Sequence, residues 1–204
     1  MAAQYIIQKQ NRVNFDTIEK APIDKTVWLH TYKPLCYAQI VYDLSREAFV
    51  ARLTCHESNP LTRFTNFYDF VYKDSCLEWF ACFDPVDGRY VNFEMNSNGA
   101  LLSAIGAERN NRVRLDELIR VEELPPVVAD KTATKWSVTI TVSKAILEKI
   151  YGHPLSFKSG FACKGNLYKC GDETPVEHYV MWNPVETKQP DYHVPAFFGD
   201  FIMG

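Results

Sequence analysis

The side chains best suited to chemistry are most concentrated near the carboxyl end of the chain. Residues 163–184 read CKGNLYKCGDETPVEHYVMWNP, which combines thiols, carboxylates, an imidazole and aromatic rings. One interpretation is a zinc site formed by Cys163, Cys170, His178 and His193. The two cysteines are seven residues apart, whereas the cysteines of chelating pairs lie two to four residues apart. We therefore predict no metal ligand here, and expect a strand, a Gly-Asp turn and a second strand instead.

Calcium is the one cofactor left open. It binds clusters of oxygen ligands, and the stretches DPVD and CGDE could each supply some of them. Apart from this possibility, no cofactor is expected.

Two carboxylates raise the question of an enzyme. A glycosidase needs a pair of carboxyl groups that face each other across a cleft, and Glu78 and Glu94 lie on two neighbouring strand candidates. The sequence contains no G-x-S-x-G nucleophile motif and no phosphate-binding loop. We expect a protein without catalytic residues, with a glycoside hydrolase as the minor alternative.

All six cysteines are interpreted as structural thiols. None belongs to a C-x-x-C pair, and most lie in strand-like runs, where cysteine acts as a small apolar residue. A domain of this size does not need disulfides to fold. The cysteines are Cys36, Cys55, Cys76, Cys82, Cys163 and Cys170.

The composition is that of an ordinary globular chain. Of the 204 residues, 47% are hydrophobic and 23% are charged, which is enough apolar material for a packed core. The net charge is −3 and the basic residues are scattered, so no nucleic-acid-binding face is expected. No stretch has the length of a membrane span, and the amino terminus has no secretory signal pattern. We expect one soluble domain over residues 1–204, located in the cytoplasm, with secretion left open and the oligomeric state unknown.

Short strands separated by turns dominate the chain. In AFVARLTCHE an apolar face alternates with a mixed face, and KWSVTITVS places four apolar side chains from Trp136 to Val142 on one face. SKAILEKIYG is the best helix, with Ser143 as its N-cap and Gly152 at its end. About ten strand candidates and one or two short helices predict an all-β protein built as an antiparallel β-sandwich.

Four blocks of the sequence carry a family pattern. They are AFVARLTCHESNP, VYKDSCLEWFACFDPVDGRYVNFEMNSNGALL, GNLYKCGDETPVEHYVMWNPV and PDYHVPAFFGDF. Together they resemble the family 9 carbohydrate-binding modules, in particular the family-9-like domains of bacterial proteins, from about residue 20 to the last residue. The resemblance implies a β-sandwich of jelly-roll or immunoglobulin-like character. It also implies non-catalytic binding of a mono- or oligosaccharide in support of polysaccharide breakdown.

The resemblance also suggests where a saccharide binds. Sugar rings present apolar faces and a rim of hydroxyl groups, which aromatic and polar side chains can match. Tyr72 and Tyr192 occupy the places of two aromatic walls in the family. Glu78 and Asn96 match its polar positions.

Strand geometry and the turns add further candidates. Alternation places Asn92, Glu94 and Asn96 on one face of their strand. Asn166 and Lys169 fall on opposite faces of a regular strand, so only one of them is expected to point into the site. The full set of predicted ligand-binding residues is Tyr72, Glu78, Asn92, Glu94, Asn96, Asn166, Lys169, Asp172, Trp182 and Tyr192.

The competing interpretation is a structural or protein-interaction sandwich that has lost sugar binding. Three aromatic residues distinguish the two: Tyr72, Trp182 and Tyr192. Convergence of their rings on one open concavity with a polar rim favours sugar binding, whereas dispersal in the core favours the alternative. The predicted partner is a saccharide ligand, and neither nucleic acid nor a membrane is expected.

Overall fold

The computed structural model describes residues 2–28 and 32–204. This part of the chain forms thirteen strands, one α-helix and five 3-10 turns. The strands are β1 Gln4–Gln10, β2 Ala21–Ile23, β3 Leu35–Asp43, β4 Ala48–His56, β5 Cys76–Ala81, β6 Tyr90–Asn96, β7 Leu101–Gly106, β8 Val113–Arg114, β9 Val127–Lys131, β10 Trp136–Ser143, β11 Ala162–Cys170, β12 Tyr179–Met181 and β13 Gly199–Met203. The helix, α1 Lys144–Tyr151, follows β10 directly.

The 3-10 turns are Phe15–Thr17, Val71–Lys73, Leu115–Glu117, Val121–Glu123 and Pro195–Phe197. Within the described ranges, no helix has the length and apolar character needed to cross a membrane.

The strands form one continuous ladder that curls into two layers. The front sheet has the order β8-β7-β6-β5-β11-β13, with β12 paired to β11. The back sheet has the order β3-β4-β10-β9, with β2 paired to β3. β1 joins the two, because its first half pairs with β13 and its second half pairs with β3. Both pairings of β1 are parallel and the other strand pairings are antiparallel. The predicted all-β, sandwich-like fold is confirmed.

A hydrophobic core fills the space between the two sheets. β10 buries every second residue, from Trp136 to Val142, as its sequence alternation predicts. Across the core, the ring of Phe49 on β4 meets Trp79 on β5 edge to face, with centroids 6.4 Å apart. The helix adds Leu147 to the same cluster. This packing fixes which face of each front-sheet strand points outward.

The front sheet is buried on its outer face as well. All residues of β5, β6 and β7 are buried, on both faces. The outward-facing Tyr90 and Tyr168 belong to a second apolar cluster that includes Tyr192 from a covering loop. The segments 57–75 and 182–198 supply this cover. Polar side chains on the outer face therefore lie under protein rather than in open solvent.

The helix ends agree with the sequence. Ser143 Oγ accepts a hydrogen bond from the backbone N–H of Ile146 at 3.2 Å. Gly152 ends the helix with φ 83°, a left-handed conformation that favours glycine.

One strand candidate is absent from the sheets. The pattern of KTVWLHTY suggests a strand, but within the described residues it makes only an isolated bridge between Lys25 and Met181. Trp28 instead packs over the front sheet, and its Nε1 donates to the carbonyl of Thr187 at 2.8 Å. Residues 29–31 lie outside the described ranges.

Substitution of Gly165 tests the close packing of β11. A Cβ atom at this position would lie 2.3 Å from the carbonyl oxygen of Phe80 and 2.4 Å from the ring of Phe201. Since a backbone oxygen cannot easily move, we expect Gly165→Ala to lower the free energy of unfolding by about 2–3 kcal/mol, measured by urea denaturation.

Gly88→Ala is the matched control, because a Cβ at Gly88 meets nothing within 4 Å. Because the backbone at Gly88 is left-handed, we expect Gly88→Ala to lower the free energy of unfolding by about 1 kcal/mol. An equal or smaller loss for Gly165→Ala would contradict this packing.

Candidate functional site

A cavity of about 350 Å³ opens on the outer face of the front sheet. Its floor comes from β5, β6, β7 and β11. Glu78 lies directly opposite Glu94 across β5 and β6, and Asn92 is two residues from Glu94, so all three face the same space. The lining residues are Tyr68, Phe70, Tyr72, Glu78, Asn92, Glu94, Leu102, Ala104, Arg109, Arg112, Cys170, Asp172, Tyr179, Pro190, Asp191, Tyr192 and His193.

Aromatic side chains form two walls of the cavity. On one side, Phe70 and Tyr72 have ring centroids 5.9 Å apart. On the other, Tyr179 at the start of β12 meets Tyr192 edge to face, with centroids 6.0 Å apart. Phe70 is 52% exposed, and Tyr72 and Tyr179 are partly exposed, so these three rings are accessible to a ligand.

A buried carboxylate, Asp74, holds the first wall in place. Its oxygens accept the backbone N–H groups of Arg63 at 2.7 Å and Phe64 at 3.0 Å. Asn96 Nδ2 donates to Asp74 at 3.0 Å and to the Phe64 carbonyl at 2.8 Å. The loop that carries Phe70 and Tyr72 is thus tied to the end of β6.

Packing and hydrogen bonds hold the second wall. The ring of Tyr192 stacks on Tyr168 with centroids 3.9 Å apart and planes within 10°. Its hydroxyl lies 3.1 Å from the carbonyl of Lys169 and 3.2 Å from that of Val180. Tyr192 is only 7% exposed, so it backs the wall and leaves Tyr179 in front.

Arg112 organises the polar floor. Its Nη2 and Nε donate to Asn92 Oδ1 at 2.6 and 3.2 Å, and the guanidinium also donates to four backbone carbonyls. With its oxygen engaged in this way, Asn92 turns its Nδ2 toward Glu94 Oε1, at 2.9 Å. The orientation of the floor carboxyl group therefore depends on an arginine from the loop between β7 and β8.

A second arginine organises the rim. Arg109 Nε and Nη2 donate to Asp191 Oδ1 at 3.0 and 2.8 Å, and the same oxygen accepts the backbone N–H of His193. His193 Nδ1 lies 2.8 Å from the hydroxyl of Tyr90. Burial, with Arg112 and Arg109 nearby, lowers the pKa of His193 to about 3. His193 is therefore neutral near pH 7, and its 3.8 Å approach to Glu94 is not an ion pair there.

Three carboxyl groups of the cavity are shifted toward their protonated forms. Burial raises the pKa of Glu94 to about 7 and that of Asp172 to about 6. Burial, together with the Cys170 thiol and Glu94, raises the pKa of Glu78 well above its usual range. Burial thus favours the protonated form of Glu78, which can both donate and accept hydrogen bonds.

Six of the ten predicted ligand-binding residues line this one cavity. They are Tyr72, Glu78, Asn92, Glu94, Asp172 and Tyr192. The other four, Asn96, Asn166, Lys169 and Trp182, lie outside it.

Asn96 and Asn166 are occupied by backbone groups. Asn96 fastens the first wall, as described above, and its Oδ1 accepts N–H groups of the following turn at Asn98 and Ala100. Asn166 faces outward from β11, but its amide exchanges hydrogen bonds with the backbone of Asn183. Both are completely buried structural amides.

Lys169 points to the opposite face of β11, because it pairs in register with the core residue Leu77. It is 0% exposed. Its Nζ donates to the carbonyl of Cys170, contacts His178 Nε2, and lies 3.8 Å from Glu57. Asn166 and Lys169 do lie on opposite faces of the strand, yet neither enters the cavity.

Trp182 belongs to the core. Its ring stacks on Phe201 with centroids 5.1 Å apart and planes within 6°. It fills the space left by Gly199, where an added Cβ would lie 2.5 Å from the indole. Of the three aromatic residues chosen to distinguish the two functions, Tyr72 and Tyr192 converge on the cavity and Trp182 does not.

Several residues that line the cavity are not among the ligand-binding residues predicted from the sequence. Arg109 and Arg112 stand in the polar tract ERNNRVRLDE between β7 and β8, and Asp191 and His193 stand in PDYH before β13. The missed aromatic residues are Tyr68, Phe70 and Tyr179. The two arginines in one loop are the one feature of the local sequence that suggests a role in binding. The sequence around them does not indicate that the loop contacts β6.

The four residues considered for zinc do not gather in the described part of the chain. Cys163 belongs to the core between the sheets, whereas Cys170 belongs to the outer cluster. Of the stretches considered for calcium, Asp84 and Asp87 lie near His153, and a histidine nitrogen is not a usual calcium ligand.

The sequence matches one protein family over most of its length. Residues 8–203 match carbohydrate-binding family 9, and the chain belongs to this family. None of the curated proteins matches the chain. Membership supports a non-catalytic carbohydrate-binding role.

Solved structures show the same fold. A candidate carbohydrate-binding protein from Bacteroides uniformis ATCC 8492 superposes with a TM-score of 0.83 at 22% identity, covering 100% of both chains. A family 9 carbohydrate-binding module from Caldicellulosiruptor kristjanssonii, in complex with glucose, gives 0.68 at 9% identity, covering 99% of this chain and 96% of that one. Its cellotriose complex gives 0.66 at 9% identity, covering 98% and 93%. At these identities the similarity establishes the fold alone.

Glu94→Gln tests the electrostatics of the floor. The pKa of Glu94 in the folded protein, about 7, lies above its ordinary value of 4.5. The folded state therefore holds the proton more tightly than the unfolded chain, and this group costs stability as the pH rises from 4.5 to 7. We expect the stability of the wild type, relative to Glu94→Gln, to fall by roughly 2–3 kcal/mol between pH 4 and pH 8.

The measurement is urea denaturation in a chelator-containing buffer at several pH values. Glu186→Gln, at an exposed position, is the control and should show a smaller change with pH. A Glu94→Gln difference that is constant with pH would contradict the raised pKa.

Proposed function

We propose that the cavity on the outer face of the front sheet binds a mono- or oligosaccharide without catalysing a reaction. The observation that carries this proposal is the meeting of accessible aromatic rings with a polar floor in one concavity. Tyr72 and Phe70 stand on one side, Tyr179 stands on the other, and Glu78 and Asn92 lie between them. Flat rings suit the C–H faces of a sugar, and the floor suits its hydroxyl groups.

The size of the cavity favours a short ligand. Its volume of about 350 Å³ is at the lower end of the range for small-molecule sites. One end of a saccharide chain, or a single sugar, is therefore a better match than a long internal stretch of polymer.

The polar floor offers both donors and acceptors. In its protonated form, which burial favours, Glu78 can donate to one hydroxyl oxygen and accept from another hydroxyl. Asp172 and Asp191 add acceptors at the rim. Because Arg112 and Arg109 already hold Asn92 and Asp191 in place, these groups lose little freedom when a ligand binds.

The relatives guide the choice of probes. One structural neighbour has been solved with glucose and with cellotriose, so these two saccharides are the first to test. The proposal includes a role in support of polysaccharide breakdown, which the family resemblance implies.

A glycosidase is less well supported. Glu78 and Glu94 project side by side from adjacent strands of the cavity floor, whereas the two carboxyl groups of a glycosidase flank the scissile bond. The remaining alternative is a sandwich without sugar binding, and the experiment below separates it from the proposal.

Removal of the accessible ring of Tyr72 should weaken saccharide binding. Tyr72→Ala deletes one stacking surface at the edge of the outer apolar cluster and leaves the Arg112 network intact, so we expect about tenfold weaker binding with an unchanged fold. Calorimetry or ligand-observed NMR with glucose and cellotriose measures the affinity, and thermal melting checks the fold.

Tyr37→Ala is the matched control, because Tyr37 is a partly exposed tyrosine on the back sheet. The affinity of Tyr37→Ala for glucose and cellotriose should equal that of the wild type. If the wild type binds neither these sugars nor any member of a glycan array, the sandwich is not a sugar-binding domain. If Tyr72→Ala and Tyr37→Ala bind equally well, the saccharide binds elsewhere.

A further inference from the structure

The floor of the cavity contains three side chains with the donor atoms of a metal site. Cys76, Glu78 and Cys170 place two thiol sulfurs and a carboxylate oxygen within 4.8 Å of one another. All three residues are buried, and Glu78 and Cys170 line the cavity.

The sheet register brings these donors together. Cys76 on β5 lies directly opposite Cys170 on β11. Glu78 is two residues further along β5, so it projects from the same face. Two ligands at alternate positions of one strand and a third on its neighbour make a three-sided arrangement, open on the side away from the sheet. That side is the cavity.

The distances suit a small tetrahedral ion. Zinc binds thiolate sulfur at about 2.3 Å and carboxylate oxygen at about 2.0–2.2 Å, which in a tetrahedron places neighbouring donors roughly 3.5 Å apart. Cys170 Sγ now donates to Glu78 Oε1 at 2.9 Å. The remaining separations are at most 4.8 Å. Small side-chain rotations therefore suffice.

The Glu78 side chain forms few hydrogen bonds with the described part of the protein. Its residue is 2% exposed, and its one hydrogen bond among the described residues comes from the Cys170 thiol. A thiol is a weak donor, and the second carboxylate oxygen has no protein partner within the described ranges. Neighbouring buried amides and carboxylates of this face, such as Asn96 and Asp74, are well bonded by contrast.

We propose that Cys76, Glu78 and Cys170 bind one Zn²⁺ ion, whose fourth coordination position faces the cavity. This assigns to the sheet a metal site that the spacing of the cysteines along the sequence did not predict. Zinc binding requires no saccharide, but both proposals use Glu78: with zinc bound, Glu78 is an ionised ligand, and its role as a donor to a sugar hydroxyl belongs to the metal-free site. When a saccharide is present, one of its hydroxyl groups could take the fourth position in place of water.

The chemistry of binding is an exchange of protons for metal. Burial raises the pKa of the Cys76 thiol to about 12, and raises those of Cys170 and Glu78 well above their usual ranges. Burial thus favours the protonated, uncharged forms of these groups in the metal-free site, and zinc binding displaces the protons that they hold. Arg112 lines the same cavity and has no carboxylate hydrogen bond among the described residues, so its charge contributes to offsetting the negative charge that remains.

The second cluster of possible ligands in the described ranges has a different character. Asp84, Asp87 and His153 also lie within 4.8 Å of one another. They contain no sulfur, His153 and Asp87 are exposed, and Arg89 already binds Asp87 through two donors. A metal ion bound by Asp84, Asp87 and His153 would show no thiolate charge-transfer band. A spectroscopic experiment therefore distinguishes that cluster from the cysteine site.

Cobalt substitution tests the proposal. The reduced protein is freed of metal with a chelator and titrated with Co²⁺, a spectroscopic substitute for zinc. We expect one equivalent to produce a thiolate-to-cobalt charge-transfer band and intense tetrahedral d–d bands, both lost when Zn²⁺ is added. The double variant Cys76→Ser/Cys170→Ser should lose the charge-transfer band completely. Glu78→Gln should keep the band and weaken the affinity at least tenfold.

Cys36→Ala/Cys55→Ala is the matched control, because these cysteines are also buried and directly opposite each other, on β3 and β4. It should bind Co²⁺ as the wild type does. The absence of a charge-transfer band in the wild type, or its persistence in Cys76→Ser/Cys170→Ser, would overturn the proposal.

A second measurement does not depend on the folding of any variant. X-ray absorption of the zinc-loaded wild type should show two sulfur neighbours at about 2.3 Å. A shell of oxygen and nitrogen alone would overturn the assignment, whatever glucose and cellotriose do in binding assays.

Discussion

The burial of the front sheet on both of its faces is the constraint on which the site depends. The inner face packs on the back sheet through residues such as Trp79, and the outer face packs under Tyr192 and its neighbours. Side chains alternate along a strand, so half of the residues of β5 and β6 must lie beneath the covering loops. Polar residues placed there lose water and must find partners in the protein or in a ligand.

The outer face divides its polar residues into two groups. Asp74 and Asn96 are satisfied by backbone and side-chain groups, and they fix the loop that forms an aromatic wall. Glu78 and Glu94 are buried with fewer partners, and burial raises the pKa of each. The well-bonded residues build the cavity, and the poorly bonded ones face its interior. This difference in hydrogen bonding, more than residue type, marks the candidate site.

The arginines contribute in an indirect way. Arg112 is fastened to backbone carbonyls and to Asn92, and Arg109 is fastened to Asp191. Neither guanidinium is free to move far, so both act mainly by orienting their partners. The same fixed charges, together with burial, keep the imidazole of His193 neutral. The polar lining is therefore set before any ligand arrives, which limits the ordering cost of binding.

Local patterns in the sequence predict the strands, the helix and the shared face of Asn92 and Glu94, because each of these depends on alternation or on capping residues. The site was predicted less completely, because its composition depends on contacts between distant segments. Trp182 has the composition of a site residue, but the absence of a side chain at Gly199 allows its ring to enter the core. Lys169 is turned inward by its register with Leu77. No local pattern reveals either fact.

If the outer-face cavity is the saccharide site, amide chemical-shift mapping will locate the ligand there. The ¹⁵N-labelled chain is titrated with cellotriose, and shifted amides are placed on the structure. Saccharide binding in the cavity predicts shifts that saturate together and are confined to the segments that line it, 68–72, 78, 92–94, 102–112, 170–179 and 190–193. Shifts centred instead on the outer face of the back sheet, around Tyr37 and Arg52, or no shifts with any saccharide, would contradict it.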